Sequence, residues 1–215
     1  MFRDHIEFFR QFRTQFHTTG AIAPSGRCLA RAMTRHIAGP RGPARILEVG
    51  PGTGAVTRRI LKLLRPEDRL DLVELNEDFA ALLRHRFQSD PAFHSAAEQS
   101  QVHVCGIESF KSVIPYDFIV SGLPFNNFSP AFVEQVLEAL FRLLAPGGIL
   151  SFFEYMYVRP LRKLVSRAPE RARLTALDGV LTAYLERHGV SRDSVVLNMP
   201  PAWVQHLRKE GSETP

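Results

Sequence analysis

Ile46-Leu47-Glu48-Val49-Gly50-Pro51-Gly52-Thr53-Gly54 is the stretch from which the rest of the chain is read. The short apolar run predicts a buried strand, and the three glycines predict a tight loop in which Cβ atoms would obstruct the backbone. Residues 55–64 follow with Val56, Ile60, Leu63 and Leu64 at helical spacing. Strand, glycine loop and helix in that order open a nucleotide site in a doubly wound α/β sheet. The spacing is G-x-G-x-G, unlike the G-x-G-x-x-G of dinucleotide binders, and Glu48 stands two residues ahead of Gly50. A carboxylate there repels a pyrophosphate but suits a ligand that carries an ammonium and a sulfonium. Glu74 comes near the end of the next strand (residues 70–75), where an acid accepts hydrogen bonds from both ribose hydroxyls. Glu48, Gly50, Gly52, Thr53, Gly54, Glu74 and Leu75 together point to S-adenosylmethionine, with S-adenosylhomocysteine as product.

The chain has 215 residues, 45% hydrophobic and 23% charged, which suits one globular domain with an appendage. Cys28 and Cys105 have neither metal-ligand spacing nor a disulfide framework, so a reducing interior and no metal are expected. No run approaches the ~20 apolar residues that cross a bilayer, and no secretory leader is visible, so a cytoplasmic location is expected. The net charge of +5 is unevenly spread. Residues 1–45 carry eight arginines against Asp4 and Glu7, and residues 159–173 carry six basic groups against Glu170 alone. The stretch between them is acidic. Such a split calls for an anionic partner, a membrane surface or a nucleic acid.

In chain order, residues 2–16 predict an amphipathic helix with Phe2, Ile6, Phe8, Phe9, Phe12 and Phe16 on one side. That face can pack on the domain or lie among lipid headgroups. A loop through Thr19 and Ser25 leads to a helix over residues 28–37, which Gly39-Pro40 breaks. Asn76 predicts a helix cap, with Phe79, Leu82, Leu83 and Phe87 as the buried stripe. Further strands are expected at 102–104, 116–120 and 149–153, then a strand pair at 195–199 and 203–207. The fold class that results is a seven-stranded Rossmann-like sheet with an N-terminal helical lid. Its expected divisions are residues 1–44, a catalytic domain over 45–208, and a disordered tail over 209–215.

Ligands in open α/β sheets bind outside the carboxyl ends of the strands. There the sequence places the glycine loop, Glu74, the stretch Gly106-Ile107-Glu108 that would carry the adenine, the Ser121–Asn127 loop and Glu154-Tyr155. Methyl transfer to nitrogen needs a neutral amine lone pair held in line about 3 Å from the methyl. Leu123-Pro124 fixes the loop backbone, and a carbonyl or Asn126 can accept the amine hydrogens; Ser121, Leu123, Asn126, Glu154 and Tyr155 are therefore the catalytic candidates. An alkylamine with a pKa of about 10 is mostly protonated at neutral pH. His17, Glu154, Tyr155 and Tyr157 are open alternatives for taking its proton.

Gly20-Ala21-Ile22-Ala23-Pro24-Ser25, Leu47-Glu48-Val49-Gly50-Pro51-Gly52-Thr53-Gly54, Ser121-Gly122-Leu123-Pro124 and Asn198-Met199-Pro200-Pro201-Ala202 resemble bacterial phospholipid N-methyltransferases. The resemblance implies a class I methyltransferase that uses S-adenosylmethionine to methylate phosphatidylethanolamine to its mono-, di- or trimethylated forms, the last being phosphatidylcholine. Ornithine lipid is an alternative amino-lipid substrate. Gly106-Ile107-Glu108 departs from the acid-Ala pair usual in that family, and Leu123-Pro124-Phe125-Asn126-Asn127 leans toward ribosomal RNA adenine dimethyltransferases, the rival reading. The expectation adopted is a peripheral enzyme on the inner face of the cytoplasmic membrane, with no nucleic-acid partner. The N-terminal helix and residues 159–173 would meet the anionic surface. Thr19, Ser25, Arg27, Arg31 and Arg159 would hold the lipid headgroup.

Overall fold

The computed structural model describes residues 24–211, so the helix expected over residues 2–16, together with His17 and Thr19, lies outside the described residues. The elements are α1 (Pro24–Met33), β1 (Arg45–Val49), α2 (Thr57–Leu61), β2 (Arg69–Glu74), α3 (Glu77–Ser89), α4 (Pro91–His94) and β3 (Ser100–Val104). After them come β4 (Tyr116–Ser121), α5 (Pro130–Leu143), β5 (Leu144–Tyr155), α6 (Val158–Val165), α7 (Ala168–His188), β6 (Gly189–Val195) and β7 (Ala202–Arg208).

The strands form one sheet in the order β3-β2-β1-β4-β5-β7-β6. The first five are parallel, and β7 runs antiparallel between β5 and β6. The order reverses between β1 and β4, which opens a crevice at their carboxyl ends. Leu47, Ile119 and Leu150 point to one face, where they pack with Val133, Leu137 and Leu140 of α5 and Leu177 and Leu181 of α7. Ile46, Leu70, Leu72 and Val120 point to the other and pack with Met33, Ile60, Leu83 and Phe93. Burial on both faces explains why the central strands read as unbroken apolar runs.

The helix starts follow from local chemistry. Asn76 Oδ1 accepts from the Asp78 and Phe79 amides at 2.9 and 3.2 Å, with Glu77 and Asp78 in the favourable first turn. Ser129 accepts from the Phe132 amide at 3.3 Å, and Pro130 occupies the first turn of α5. Arg41 and Asp68 form a two-pronged ion pair at 2.8 and 2.6 Å that anchors the chain entering β1.

Three elements differ from the sequence expectation. The penultimate strand is Gly189–Val195, and residues 196–201 are the turn into β7. Val196, Leu197 and Met199 look like strand residues because they are apolar, but their side chains face outward instead of joining the sheet. The basic segment, residues 159–173, folds as α6 and the start of α7. The helix after the glycine loop is shorter than expected, ending at Leu61. Within the expected N-terminal appendage, Met33 and Ile37 are buried in the sheet's own core, so α1 packs as part of the body.

His206 on β7 is fully buried, with Nδ1 2.8 Å from Ser151 Oγ, Nε2 3.3 Å from Asp193 and the His36 ring against its own. Burial, with help from His36, pushes its pKa down to about 4, so it stays neutral in the fold. The unfolded chain takes up this proton near pH 6.5 and the folded chain only near 4. Stability is therefore complete above pH 6.5 and should fall as pH drops from 6.5 to 4, by up to about 3 kcal/mol. Chemical denaturation across that window should show the slope in the wild type and a shallower one in His206→Gln.

Candidate active site

Gly50, Gly52 and Gly54 have φ of 69°, 57° and 78°, the left-handed region in which a side chain is strained. The neighbouring strands hold this loop in place. The Gly50 amide donates to Val73 O at 2.9 Å, and the Gly122 amide donates to Val49 O at 2.8 Å. A Cβ on Gly122 would stand 2.7 Å from Gly50 O, and one on Gly50 would stand 2.9 Å from the Leu123 side chain. The glycine loop and the loop after β4 therefore touch backbone to backbone.

Glu74, fully buried at the end of β2, accepts from the Gly52 amide at 2.9 Å and from the Asn76 amide at 3.0 Å. One carboxylate thus braces both the glycine loop and the start of α3. A cleft beside it is walled by Gly50, Glu74, Leu75, Cys105, Gly106, Ile107 and Glu108, with Leu123, Phe128, Phe132 and Val136 completing it. The last three were not anticipated. They belong to the apolar stripe at the start of α5 and the turn before it, and spacing alone does not separate a ligand wall from core. The Glu108 carboxylate folds back over Gly106, where a Cβ would lie 2.1 Å from its oxygen. The acid two residues further on occupies the volume that a side chain at position 106 would need.

On the other side of Gly50 a second cavity is lined by Met33, Glu48, Pro51, Ala55, Gly122, Pro124, Phe153 and Tyr155. It shares Pro124, Phe153 and Tyr155 with a third, lined also by Asn126, Asn127, Glu154, Val158, Arg162 and Pro200. Shared walls make the two a channel from the glycine loop toward α6 and the turn before β7. Asn126 Oδ1 is buried there with no hydrogen-bond partner, while the Asn126 carbonyl is held by Arg173 at 3.2 Å. An unpartnered buried acceptor is costly, and turning the amide toward the channel would let an amine hydrogen satisfy it.

The other candidates divide. Tyr155 lines both parts of the channel, and burial pushes its hydroxyl up to about 12, so it remains a protonated phenol at neutral pH. The Glu154 carboxylate lies 2.6 Å from Arg159 and 3.2 Å from Gln205. Arg159 also contacts Asp178 at 2.7 Å, and two carboxylates leave it little charge to offer a headgroup. Ser121 is fully buried, with Oγ 3.4 Å from the Leu123 amide, where it shapes the loop. Tyr157 is largely exposed at the outer end. Arg27 and Arg31 lie exposed on α1, and Ser25 stands in its first turn. Among the described residues no group of three or more His, Cys, Asp or Glu is placed to hold a metal ion.

Residues 47–150 match a family described as "Methyltransferase domain". An ornithine lipid N-methyltransferase from Singulisphaera acidiphila is 31% identical over 147 residues, covering 68% of this chain and 75% of that enzyme. The chain is a class I methyltransferase of the lipid N-methyltransferase family. The ribosomal RNA small subunit methyltransferase A of Marinobacter nauticus is 29% identical over 134 residues, 60% of this chain but only 42% of that enzyme. An O-methyltransferase from Streptomyces achromogenes, solved in complex with SAM, superposes with a TM-score of 0.63 at 18% identity over 87% of this chain and 80% of the other.

The cofactor of this methyltransferase is S-adenosylmethionine, and the cleft fits it. Cβ-free loop residues leave room for close approach, buried Glu74 stands at the end of β2, and apolar walls suit an adenine. Glu74→Ala should cost about 1.5–3 kcal/mol per lost charged hydrogen bond, and calorimetry with S-adenosylhomocysteine should show at least a tenfold weaker complex. Gly106→Ala should displace the Glu108 carboxylate and weaken the same complex, and adding Glu108→Ala should relieve the crowding, with melting temperature recovering in the double variant.

Proposed function

We propose that this enzyme N-methylates the headgroup amine of an amino lipid at a membrane surface, with phosphatidylethanolamine or ornithine lipid as substrate. The observation that carries the reading is the buried, unpartnered Asn126 Oδ1 beside a channel that begins at the glycine loop. The 31% identity to an ornithine lipid N-methyltransferase supports an amino lipid and favours the ornithine form.

Bound in the cleft, S-adenosylmethionine supplies an electrophilic methyl carried on a sulfonium. The protein's part is to present a neutral nitrogen to it. Asn126 Oδ1 accepts an amine hydrogen and aims the lone pair inward, with Leu123-Pro124 holding the loop that carries it. The Tyr155 ring contributes an electron-rich face that favours the cation formed on nitrogen. Neither Tyr155, held as a phenol, nor Glu154, paired with Arg159, is a ready proton acceptor. The residues favour capture of the neutral minority of the amine over deprotonation by a resident base, so kcat/KM should rise with pH through the neutral range.

The channel mouth supports a membrane partner. Leu164 and Val165 of α6 and Leu197 and Met199 of the turn before β7 are 76–88% exposed. Val158 of that helix and Pro200 of that turn line the same opening. Large apolar side chains around an active-site entrance suit insertion among lipid headgroups. No helix among the described residues is long and apolar enough to cross a membrane; the contact proposed is with the surface of the inner leaflet. The Arg167 and Arg171 side chains near α6 can add attraction to an anionic surface. The match to the Marinobacter nauticus ribosomal RNA methyltransferase spans 42% of that enzyme, and the apolar mouth favours lipid over RNA.

Expression in a host that lacks its own lipid methyltransferase, followed by lipid mass spectrometry, should yield methylated amino lipids. Asn126→Ala should lower kcat by about tenfold to a hundredfold, in line with loss of an aligned hydrogen bond. Unaltered lipids alongside methylated RNA would overturn the reading.

A further inference from the structure

A groove between α1 and α2 lies next to the methyl-transfer channel. It encloses about 660 Å³ and is lined by Arg27 and Arg31 from one helix and Arg58, Arg59 and Lys62 from the region of the other. No carboxylate lines it among the described residues. Arg58 is neutralised by Asp90 and packed over the Phe93 ring. The other four have no acidic partner among the described residues, and Arg59 Nε is buried without any hydrogen-bond acceptor. Cations crowded in this way repel one another, and a buried guanidinium N–H left unmet adds to the cost. An oxyanion lying between the helices would relieve the repulsion.

The groove opens beside the reaction site. Ala55 forms part of the wall of both the groove and the channel, and α1, which gives Arg27 and Arg31 to the groove, gives Met33 to the channel. In an amino lipid the amine and its oxyanion, a phosphate or a carboxylate, sit on one headgroup only a few bonds apart. A guanidinium fork meets either group in the same two-pronged way.

We infer that the groove formed by Arg27, Arg31, Arg59 and Lys62 is the oxyanion subsite that seats the substrate headgroup beside the cavity wall at Ala55. The inference rests on the amino-lipid reading above. It adds Arg59 and Lys62 to the arginines expected from sequence and replaces Arg159, which two carboxylates hold. Anchoring the anion removes rotational freedom from the headgroup and holds its nitrogen by the cavity that Ala55, Gly50 and Tyr155 line.

The test is the full chain carrying Arg27→Gln, Arg31→Gln, Arg59→Gln and Lys62→Gln, with Arg58 kept because it braces Asp90. Turnover is measured in neutral-detergent micelles containing the amino lipid and no other anionic lipid. The expected result is a KM raised at least tenfold, kcat within threefold, and S-adenosylhomocysteine affinity by calorimetry within twofold of wild type. Inorganic phosphate should compete with the lipid in the wild type and lose that effect in the variant. Arg31→Glu alone, at an exposed position, gives the same comparison if the fourfold variant folds poorly, and should also raise KM. An unchanged KM overturns the subsite. So does a variant that loses only its binding to phosphatidylglycerol vesicles, since the groove would then serve the bulk surface, or a groove blocked by a short RNA but not by amino lipid. If the wild type binds S-adenosylhomocysteine but methylates no amino lipid, the substrate reading fails instead, and phosphate binding by calorimetry in wild type against variant still decides whether the groove is an anion site.

Discussion

The site depends on the contact between two backbones. Val49 and Ser121 are partners in the parallel pairing of β1 and β4, and each strand ends at a glycine. Gly122 N–H reaches back to Val49 O, and Gly122 lies so close to Gly50 O that neither position has room for a larger residue. This approach sets the spacing between the loop beside the cofactor cleft and the loop that, in the proposed reaction, faces the amine. A methyl has to cross that spacing, and reaction in line tolerates little error. The parallel pairing places both loops at the same edge of the sheet, and the reversal of strand order supplies the crevice.

Glu74 extends the constraint outward. By holding the Gly52 and Asn76 amides together, its carboxylate fixes the glycine loop against the start of α3. A charged group buried this fully is tolerable because backbone donors surround it. The charges elsewhere are arranged along similar lines. Arg159, Arg162 and Arg173 are turned inward to hold Glu154, Asn127, Glu170 and the Asn126 carbonyl, so they build the substrate side of the site. Arg27, Arg31, Arg59 and Lys62 remain for an external anion. A count of basic residues along the chain does not separate these two uses, and Arg59 and Lys62 come from a stretch whose net charge is acidic.

Fold and cofactor were legible in the sequence because they rest on local rules. A strand that ends in Gly-x-Gly-x-Gly needs positive φ, and all three glycines have it. Asn76 caps the helix that the sequence predicts after β2. Where only apolarity was available, the reading slipped: Val196, Leu197 and Met199 resembled a strand, but the sheet paired the polar Ser191–Ser194 region with β7 instead. The pattern of side chains does not say which of two neighbouring segments will find a partner edge.

By itself the sequence determined the strand, glycine loop and helix that make the cofactor cleft, the acid at the end of β2 and the loop after β4, because each is fixed by residues close together in the chain. Tertiary structure alone decided that Glu108 fills the space above Gly106, that Asn126 Oδ1 is left without a partner, and that Glu154 and Arg159 neutralise one another. It also decided that Arg59 and Lys62 stand across from Arg27 and Arg31. Hydrogen bonding and charge pairing between residues distant in the chain depend on which surfaces the fold brings face to face, and no local pattern carries that information.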